Sequence, residues 1–420
     1  MARHQRTESI EAGEGNATLE DTDAITVLQG ITWDHPRGVD CLKAASEEFS
    51  RHNRSIRIDW TARPLREFED TPLIELAERY DLLAIDHPHI GDAVEQGALL
   101  ALEPLLPASD LNRLGEDSPG PSHASYSWHG QQWALAVDAA CQVSAYRPDL
   151  IDQAELPGTW KALERLAAEH GRERIALAAN PTHLWCALLS LCEASAQNTG
   201  RRPDGRPVWW GDEGIDPAIL VQALRLLQEL LTMCAPASLK HDPISLLDQM
   251  SETDDYLYVP LVFGYVTYSH PRPGLARIRF TNPPGLGGTG TGTITGGVGL
   301  AISAKSKTPK NAADFLHFVT SARCQGGTYL AAGGQPGLRS VWGDPAANRP
   351  VDGFFADTLY TMDRSFLRPR LVGYPDYQRH ASLRLHEMFL SGKQPGTIAS
   401  ELIRLWNSDV ISPEGVPQAP

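Results

Sequence analysis

Several features common in other protein classes are missing from this 420-residue chain. It has no run of 18 apolar residues, which argues against a transmembrane helix. It has no block of five or more Lys or Arg residues, and its net charge is −15. Nucleic acids and anionic membrane surfaces are bound through basic patches, so neither is expected as a main partner.

The chain also begins without a recognisable secretion signal. Residues 1–23 are polar and lack an apolar segment followed by a small-residue cleavage site. This composition predicts a disordered tail, and residues 413–420 are interpreted in the same way.

The six cysteines form neither a Cys-x-x-Cys pair nor a metal-ligand spacing. They are Cys41, Cys141, Cys186, Cys192, Cys234 and Cys324. Buried, reduced thiols in a reducing compartment are the simplest interpretation. No metal or other cofactor is predicted.

The first hundred residues alternate between strand and helix patterns. Strands are predicted over residues 24–31, 55–60 and 81–85. Helices are predicted over residues 38–52 and, from Pro72 onward, in the second half of residues 65–80. This alternation is typical of a parallel sheet covered by helices, and the length suits two such units.

Later helices carry clear boundary signals. Thr159 is the predicted N-cap of a helix that ends at Gly171, and Asp216 the N-cap of a helix that starts with Pro217. Residues 175–180 are predicted as a strand, followed by a buried helix over residues 183–196.

Three segments resemble a known family and occur in the family's order. Residues 129–163, HGQQWALAVDAACQVSAYRPDLIDQAELPGTWKAL, are similar to its hydrophobic crossing strand and the Pro-x-Thr-Trp helix start that follows. Residues 296–325, GGVGLAISAKSKTPKNAADFLHFVTSARCQ, give the most specific match. Residues 331–342, AAGGQPGLRSVW, give the third. The sequence therefore resembles the extracellular solute-binding proteins of ATP-binding-cassette (ABC) importers for sugars, polyols and related compounds.

The resemblance implies an α/β periplasmic-binding-protein-like fold, in which two lobes hinge about crossing segments and close on a ligand. The crossings are expected near residues 136–140, 295–298 and 333–338. Lobe 1 is predicted to comprise residues 24–137 and 296–335, and lobe 2 residues 138–295 and 336–412.

Two loops of lobe 1 are the first candidates for the ligand site, because ligands of such sheets bind beyond the carboxyl ends of strands. One loop carries Trp33, Asp34 and His35, and the other carries Asp86, His87 and His89. An indole face beside carboxylate acceptors suits a sugar ring or an alkylammonium ion. Simple packing and capping of the loops is the alternative interpretation.

Further candidates come from the crossings and from lobe 2. Asp138 lies on the crossing strand, where it could bind ligand or only stabilise the hinge. The other candidates are His183, Trp185, Tyr265, the backbone at Gly296 and Gly297, and Gln335.

Two other kinds of site are disfavoured. The GxG repeats in residues 288–297 precede a strand, which is the wrong context for a nucleotide phosphate. The histidines of the second loop surround a proline turn rather than one helix face, which argues against a metal centre.

The predicted function is capture of a small polar ligand by a monomer that serves an ABC permease or acts as a cytosolic binder or sensor. The absent signal favours the cytoplasm, whereas the family resemblance favours the periplasm. The alternative is a cytosolic enzyme on the same scaffold, using Asp34, His35, Asp86, His87 and Asp138 in acid–base chemistry. No catalytic motif supports that alternative, and the ligand could be a sugar, a polyol, a cation or a carboxylate.

Overall fold

A computed structural model describes residues 25–196, 200–285 and 292–410. The two predicted tails and residues 286–291 of the Gly/Thr-rich stretch lie outside these ranges. The strands in the described ranges are β1 (Thr26–Trp33), β2 (Ile56–Arg63), β3 (Leu82–Ile85), β4 (Ser127–Trp128), β5 (Gln131–Gln132), β6 (Ala134–Tyr146), β7 (Trp210–Gly211), β8 (Gly214–Ile215), β9 (Tyr258–Phe263), β10 (Arg279–Thr281) and β11 (Thr295–Ile302).

The helices are distributed along the whole described chain. They are α1 (Pro36–His52), α2 (Leu65–Asp70), α3 (Leu73–Ala77), α4 (Ile90–Glu95), α5 (Ala108–Glu116), α6 (Trp160–His170), α7 (Pro181–Ser195), α8 (Pro217–Thr232), α9 (Pro243–Glu252), α10 (Pro309–Val319), α11 (Ala322–Cys324), α12 (Arg339–Trp342), α13 (Pro345–Asn348), α14 (Phe354–Arg364), α15 (Tyr374–Leu390) and α16 (Pro395–Asp409). None of these helices is both long and apolar enough to cross a membrane.

The main sheet joins strands from distant parts of the chain. Its order is β10-β6-β11-β3-β1-β2, and β9 also pairs with β6. β1 is parallel to both β2 and β3, which confirms the parallel arrangement predicted from the alternating pattern. β11 is antiparallel to β3 and to β6.

The long strand β6 joins two groups of strands in this sheet. All thirteen of its residues are buried. Its first half pairs with β11, whereas its second half pairs with β9 and β10. A strand covered on both faces is mostly apolar, and the three polar side chains of ALAVDAACQVSAY, those of Asp138, Gln142 and Ser144, are all hydrogen-bonded.

A third segment joins β6 at the point where its partners change. The Ala139 N–H donates to Gln335 O at 3.0 Å, and Gln335 Nε2 donates back to Ala139 O at 2.6 Å. The β6–β11 register shifts between Val298 and Gly299, close to the same point. The three segments predicted to cross between lobes are therefore bonded to one another.

Local sequence signals predicted several boundaries correctly. Thr159 caps α6 by accepting from Ala162 N, and Asp216 caps α8. Two predictions differ from the structure. The stretch before Pro72, for which no helix was predicted, forms the six-residue helix α2 between Pro64 and Pro72. Residues 175–180 form no named strand, since only Ile175 bridges to Tyr258.

Two large groups of buried side chains support this framework. One surrounds β1, β2, α1 and α10, and it continues along one face of β6 into α14. The other lies among α7, α8, α15 and α16. Apolar residues at helical spacing produce the buried face of each of these helices. All six cysteines are buried and free, as the sequence predicts.

Gly297 of β11 provides a test of the tight contact between the crossing strands. Its φ is +105°, and a Cβ there would meet Asp138 O and lie 3.0 Å from Ala139 Cα. Gly130 is the matched control, because its φ is +75° but a Cβ would meet nothing within 4 Å.

We expect Gly130→Ala to lower the free energy of unfolding by about 1–2 kcal/mol through backbone strain alone. Gly297→Ala should cost a further roughly 1–3 kcal/mol, because its methyl group also overpacks the strand. Guanidinium denaturation of both variants measures the difference. Equal losses would contradict the close approach of β6 and β11.

Candidate functional site

A cavity of about 70 Å³ lies beyond the carboxyl ends of β1 and β3, against the end of β9 and the start of β11. Its aromatic lining residues are Trp33, Phe68, Phe263 and Tyr265. Its polar lining residues are Arg37, Glu69, Asp86, Thr182, His183, Arg368 and Gln378. The remaining lining residues are Leu65, Ala140, Cys186, Gly296, Gly297 and Val298. The cavity is thus partly aromatic and strongly polar.

The first polar wall is a buried ion pair between α1 and the crossing strand β6. Arg37 donates to Asp138 through two bonds, Nε–Oδ2 at 2.8 Å and Nη2–Oδ1 at 2.5 Å. Arg37 Nη1 also donates to Gly264 O at 2.8 Å, and the guanidinium lies 4.6 Å from the Tyr265 ring centre. Burial alone would lower the pKa of Arg37, but Asp138 raises it above its usual range. Arg37 is therefore a fixed cation with a fixed counter-ion.

A second buried ion pair forms the opposite wall. Arg368 Nη2 donates to both carboxylate oxygens of Asp86, at 3.0 and 2.7 Å. Burial opposes ionisation of Asp86, yet Arg368 and the His87 N–H hold the pKa of this carboxyl well below its usual range. Arg368 Nε is buried without a hydrogen-bond partner among the described residues. The Arg368 residue itself lines the cavity.

His183 supplies an acceptor at the cavity. Burial lowers the pKa of His183 to about 4, so the ring is neutral at pH 7. Asn180 Oδ1 accepts from the His183 backbone N–H and lies 2.9 Å from Nδ1. Since that oxygen is an acceptor, Nδ1 carries the proton and Nε2 has a free lone pair. Nε2 lies 3.7 Å from a carboxylate oxygen of Glu69.

The short helix α2 covers one side of the cavity. Leu65, Phe68 and Glu69 share one helix face, and all three line the cavity. His89 Nε2 lies 3.0 Å from the Glu69 carbonyl oxygen, which ties the last turn of α2 to the loop after β3. The helix is therefore held at both ends, by prolines and by His89.

The structure brings about half of the predicted residues to the cavity. Those that line it are Trp33, Asp86, His183, Tyr265, Gly296 and Gly297. Those that do not are Asp34, His35, His87, His89, Asp138, Trp185 and Gln335. The two predicted loops of lobe 1 do meet, because β1 and β3 are adjacent and parallel.

Most of the predicted residues outside the cavity support its walls. His35 Nδ1 accepts from Arg37 N at 3.1 Å, and burial, then Arg37, lowers the pKa of His35 to about 3. His87 Nε2 accepts from Arg368 N at 3.3 Å. Asp138 holds the Arg37 side chain, and Gln335 joins the third crossing segment to β6.

Two other predicted residues have no role at the cavity. Asp34 is exposed, and Trp185 packs in the core against Trp210 and Tyr377. Within the ranges that the structure describes, no group of three or more His, Cys, Asp or Glu side chains could hold a metal ion.

The residues that sequence reasoning missed have only weak sequence signals. Arg37 lies two residues after the predicted His35, so a list of polar residues in that loop would have included it. Cys186 follows His183 by one helical turn, which places both on one face of α7. Arg368 is 282 positions from Asp86, and no local pattern marks it.

A protein-family model covers most of this chain. The model of bacterial extracellular solute-binding proteins matches residues 75–347, which is more than half of the chain. The chain belongs to this family. Comparison with curated proteins found no match.

Solved structures of similar binding proteins share the fold of this solute-binding protein. Maltose-bound MalE3 of T. maritima has a TM-score of 0.73 at 17% identity, covering 91% of this chain and 99% of its own. A ribitol-bound ABC transporter solute-binding protein of Agrobacterium radiobacter K84 has a TM-score of 0.72 at 18% identity, covering 92% and 99%. A tagatose-bound solute-binding protein of Thermotoga lettingae has a TM-score of 0.70 at 13% identity, covering 90% and 99%. The fold is thus the predicted periplasmic-binding-protein-like α/β fold.

Two of the carboxylates that the enzyme alternative assigned to acid–base chemistry are held in ion pairs. Asp86 and Asp138 are each engaged by an arginine. A general base needs a pKa near the working pH and access to a substrate proton. Asp86 has a depressed pKa, whereas burial raises the pKa of Asp138 against the effect of Arg37, and Asp138 does not line the cavity.

The Asp86–Arg368 pair generates a prediction about stability. Asp86→Asn leaves Arg368, whose side chain is 4% exposed, without a counter-charge. We expect a loss of about 3–5 kcal/mol in the free energy of unfolding at pH 7. Asp59→Asn is the matched control, because the Arg57–Asp59 pair is exposed and should contribute about 1 kcal/mol or less.

The pH dependence of this loss follows from the depressed pKa of Asp86. A carboxyl with a depressed folded pKa stabilises above its unfolded pKa of about 3.9, and that contribution is lost as the pH falls. The gap between wild type and Asp86→Asn should therefore shrink from pH 7 to pH 3. Urea denaturation at both pH values measures it. A gap as small as that of Asp59→Asn at pH 7 would contradict the ion pair.

Proposed function

We propose that this solute-binding protein captures a neutral, hydroxyl-rich solute of about monosaccharide size and delivers it to an ABC permease. The observation that carries the proposal is the pairing of both cavity arginines with buried carboxylates. The hydrogen-bonding groups of the cavity are thereby fixed in place without an excess of one charge.

Charge balance supports a neutral ligand. Arg37 and Arg368 each form a bidentate bond to an aspartate, so neither offers an uncompensated cation to a carboxylate ligand. The His183 ring, which is neutral at pH 7, adds no charge to the cavity. A ligand anion would have to displace Asp86 or Asp138 or be repelled by them.

Aromatic faces and polar atoms together support a polyol or a sugar. Trp33, Phe68, Phe263 and Tyr265 offer apolar faces for the C–H groups of such a ligand. Arg368 Nε can donate to a hydroxyl oxygen, and His183 Nε2 can accept from a hydroxyl. A hydroxyl group both donates and accepts, so it satisfies both kinds of partner.

The size of the cavity supports a small ligand. Its volume of about 70 Å³ lies far below the several hundred Å³ typical of ligand sites. One water occupies roughly 30 Å³ in the liquid, so a monosaccharide would require the lobes to open wider than they are here. Among the structurally similar proteins, two hold ribitol and tagatose, and others hold maltose or maltotetraose. We propose that the ligand of this chain is similar in size to ribitol and tagatose.

Closure about the crossing segments is the proposed means of capture. We retain residues 24–137 with 296–335 as lobe 1, and residues 138–295 with 336–412 as lobe 2. The bonds that β6 makes to β11 and to Gln335 support a hinge at this position, because they join all three crossing segments near residues 138–140 of β6. The cavity lies beside these bonds, since Ala140, Gly296 and Gly297 line it, so closure of the lobes would enclose a ligand there.

Calorimetric titration with a panel of solutes tests the proposal. We expect a neutral polyol or monosaccharide, with ribitol and tagatose tested first, to bind at least about tenfold more tightly than maltotetraose. Gluconate, which adds a carboxylate to a similar skeleton, should also bind at least about tenfold more weakly, a difference of about 1.4 kcal/mol. Preferential binding of gluconate would overturn the neutral-ligand assignment.

A cavity variant should then lose affinity for the solute that binds. Trp33→Leu keeps an apolar side chain but removes the indole face, and we expect at least about a tenfold increase in Kd. Asp34→Ala is the matched control, since the neighbouring Asp34 side chain is exposed and does not line the cavity. Circular dichroism verifies that both variants are folded at the titration temperature. Equal affinities of both variants and wild type would remove Trp33 from the site.

A further inference from the structure

A second groove lies behind the cavity, and the proposed function does not use it. It runs between α9, residues 267–272 and residues 331–333, and its volume is about 430 Å³. His35, at the N-terminus of α1, forms part of its wall. Residues 331–333 lead directly into the third crossing segment, so the groove lies next to the crossing region.

Three buried polar atoms of the groove residues have no hydrogen-bond partner among the described residues. They are Thr267 Oγ1, His270 Nε2 and Arg272 Nε. Buried polar groups are almost always bonded, and an orphaned group indicates an absent ion, water or ligand. Three such atoms on residues of one groove make this groove the strongest candidate for a second polar site.

The charge of this groove indicates an anion. The Arg272 guanidinium stacks on the Tyr268 ring at 4.5 Å and donates to Ser251 Oγ, and no carboxylate pairs with it in the described ranges. An arginine whose positive charge has no counter-ion is a ready partner for a carboxylate or a phosphate. Arg272 differs in this respect from Arg37 and Arg368, which are both neutralised.

The other polar groups of the groove fit the same ligand. Thr267 can donate through its hydroxyl, and His270 through a protonated Nε2. Asp248 also lines the groove, and its Oδ1 accepts from the Tyr268 hydroxyl at 2.7 Å. Because Asp248 repels negative charge, the groove suits an anion small enough to reach Arg272 without contacting that carboxylate.

The groove is separate from the cavity. The His35 ring packs against Tyr268 on the groove side, with ring centres 6.2 Å apart, and edge-on against Tyr265 at 4.9 Å. Tyr265 lines the cavity, and no residue lines both spaces.

We propose that this groove is a second binding site, specific for a small anion with a carboxylate or phosphate group, in which Arg272 is the principal ligand. The site does not depend on the identity of the solute in the cavity. It can be tested without that solute.

Titration calorimetry with inorganic phosphate and with acetate, at constant ionic strength set by chloride, tests the site and distinguishes the two anion types. We expect at least one of them to bind saturably with one site per chain. Arg272→Gln should weaken that binding at least about tenfold, since it removes a charge-assisted bond. Arg225→Gln is the matched control, because Arg225 is an exposed residue of α8 that does not line the groove.

A second variant tests the site independently, in case Arg272→Gln does not fold. Thr267→Val removes only a hydroxyl group and keeps the shape of the side chain, and it should weaken anion binding several-fold with an unchanged melting temperature in chloride buffer. Absence of saturable binding to wild type would overturn the proposal. Equal anion affinity of wild type, Arg272→Gln and Thr267→Val would also overturn it.

Discussion

The bond between Arg37 and Asp138 connects the separate parts of this structure. It joins the first turn of α1 to the middle of β6, and through Gly264 it also reaches the segment after β9. Both side chains are almost completely buried, so each charge would be costly without the other. His35 caps α1 one residue before Pro36 and Gln335 bonds to Ala139, so the loop after β1 and the third crossing both lie next to this pair.

The Asp86–Arg368 ion pair is a second carboxylate–arginine contact at the cavity. Asp86 follows β3, whereas Arg368 lies between α14 and α15, and the two are directly bonded to each other in the cavity wall. In both pairs a carboxylate orients an arginine, and the arginine lines the cavity. The acidic residues thus determine the position of donor groups. Within a chain of net charge −15, each of these two arginines thus has its own carboxylate partner.

The sequence predicted the parts of the fold that local physics controls. Strand and helix periodicities in residues 24–85 and the caps at Thr159 and Asp216 were confirmed, and so was the family fold. The loops at Trp33 and Asp86 were expected to meet, because parallel strands present their carboxyl ends at one edge. Their meeting required only that β1 and β3 be neighbours, which the topology makes possible.

The sequence could not predict what depends on distant partners or on helix rotation. Arg37 and Asp138 are 101 positions apart, and Arg368 and Asp86 are 282 apart, so no local pattern shows that the carboxylates are already engaged. Trp185 was a candidate because it opens α7, but the rotation of the helix directs His183 and Cys186 to the cavity and Trp185 to the core. Helix α2 was missed because its six residues are bounded by two prolines and held by the His89 contact, and they are too few to show a long apolar pattern.

A double-mutant cycle on Arg37 and Asp138 tests most directly whether this pair holds the structure together. The free energy of unfolding would be measured by guanidinium denaturation for wild type, Arg37→Met, Asp138→Asn and the double variant. We predict that each single change costs about 3–5 kcal/mol and that the double change costs far less than the sum, since it leaves no uncompensated charge. Additive losses, within about 0.5 kcal/mol, would contradict the account.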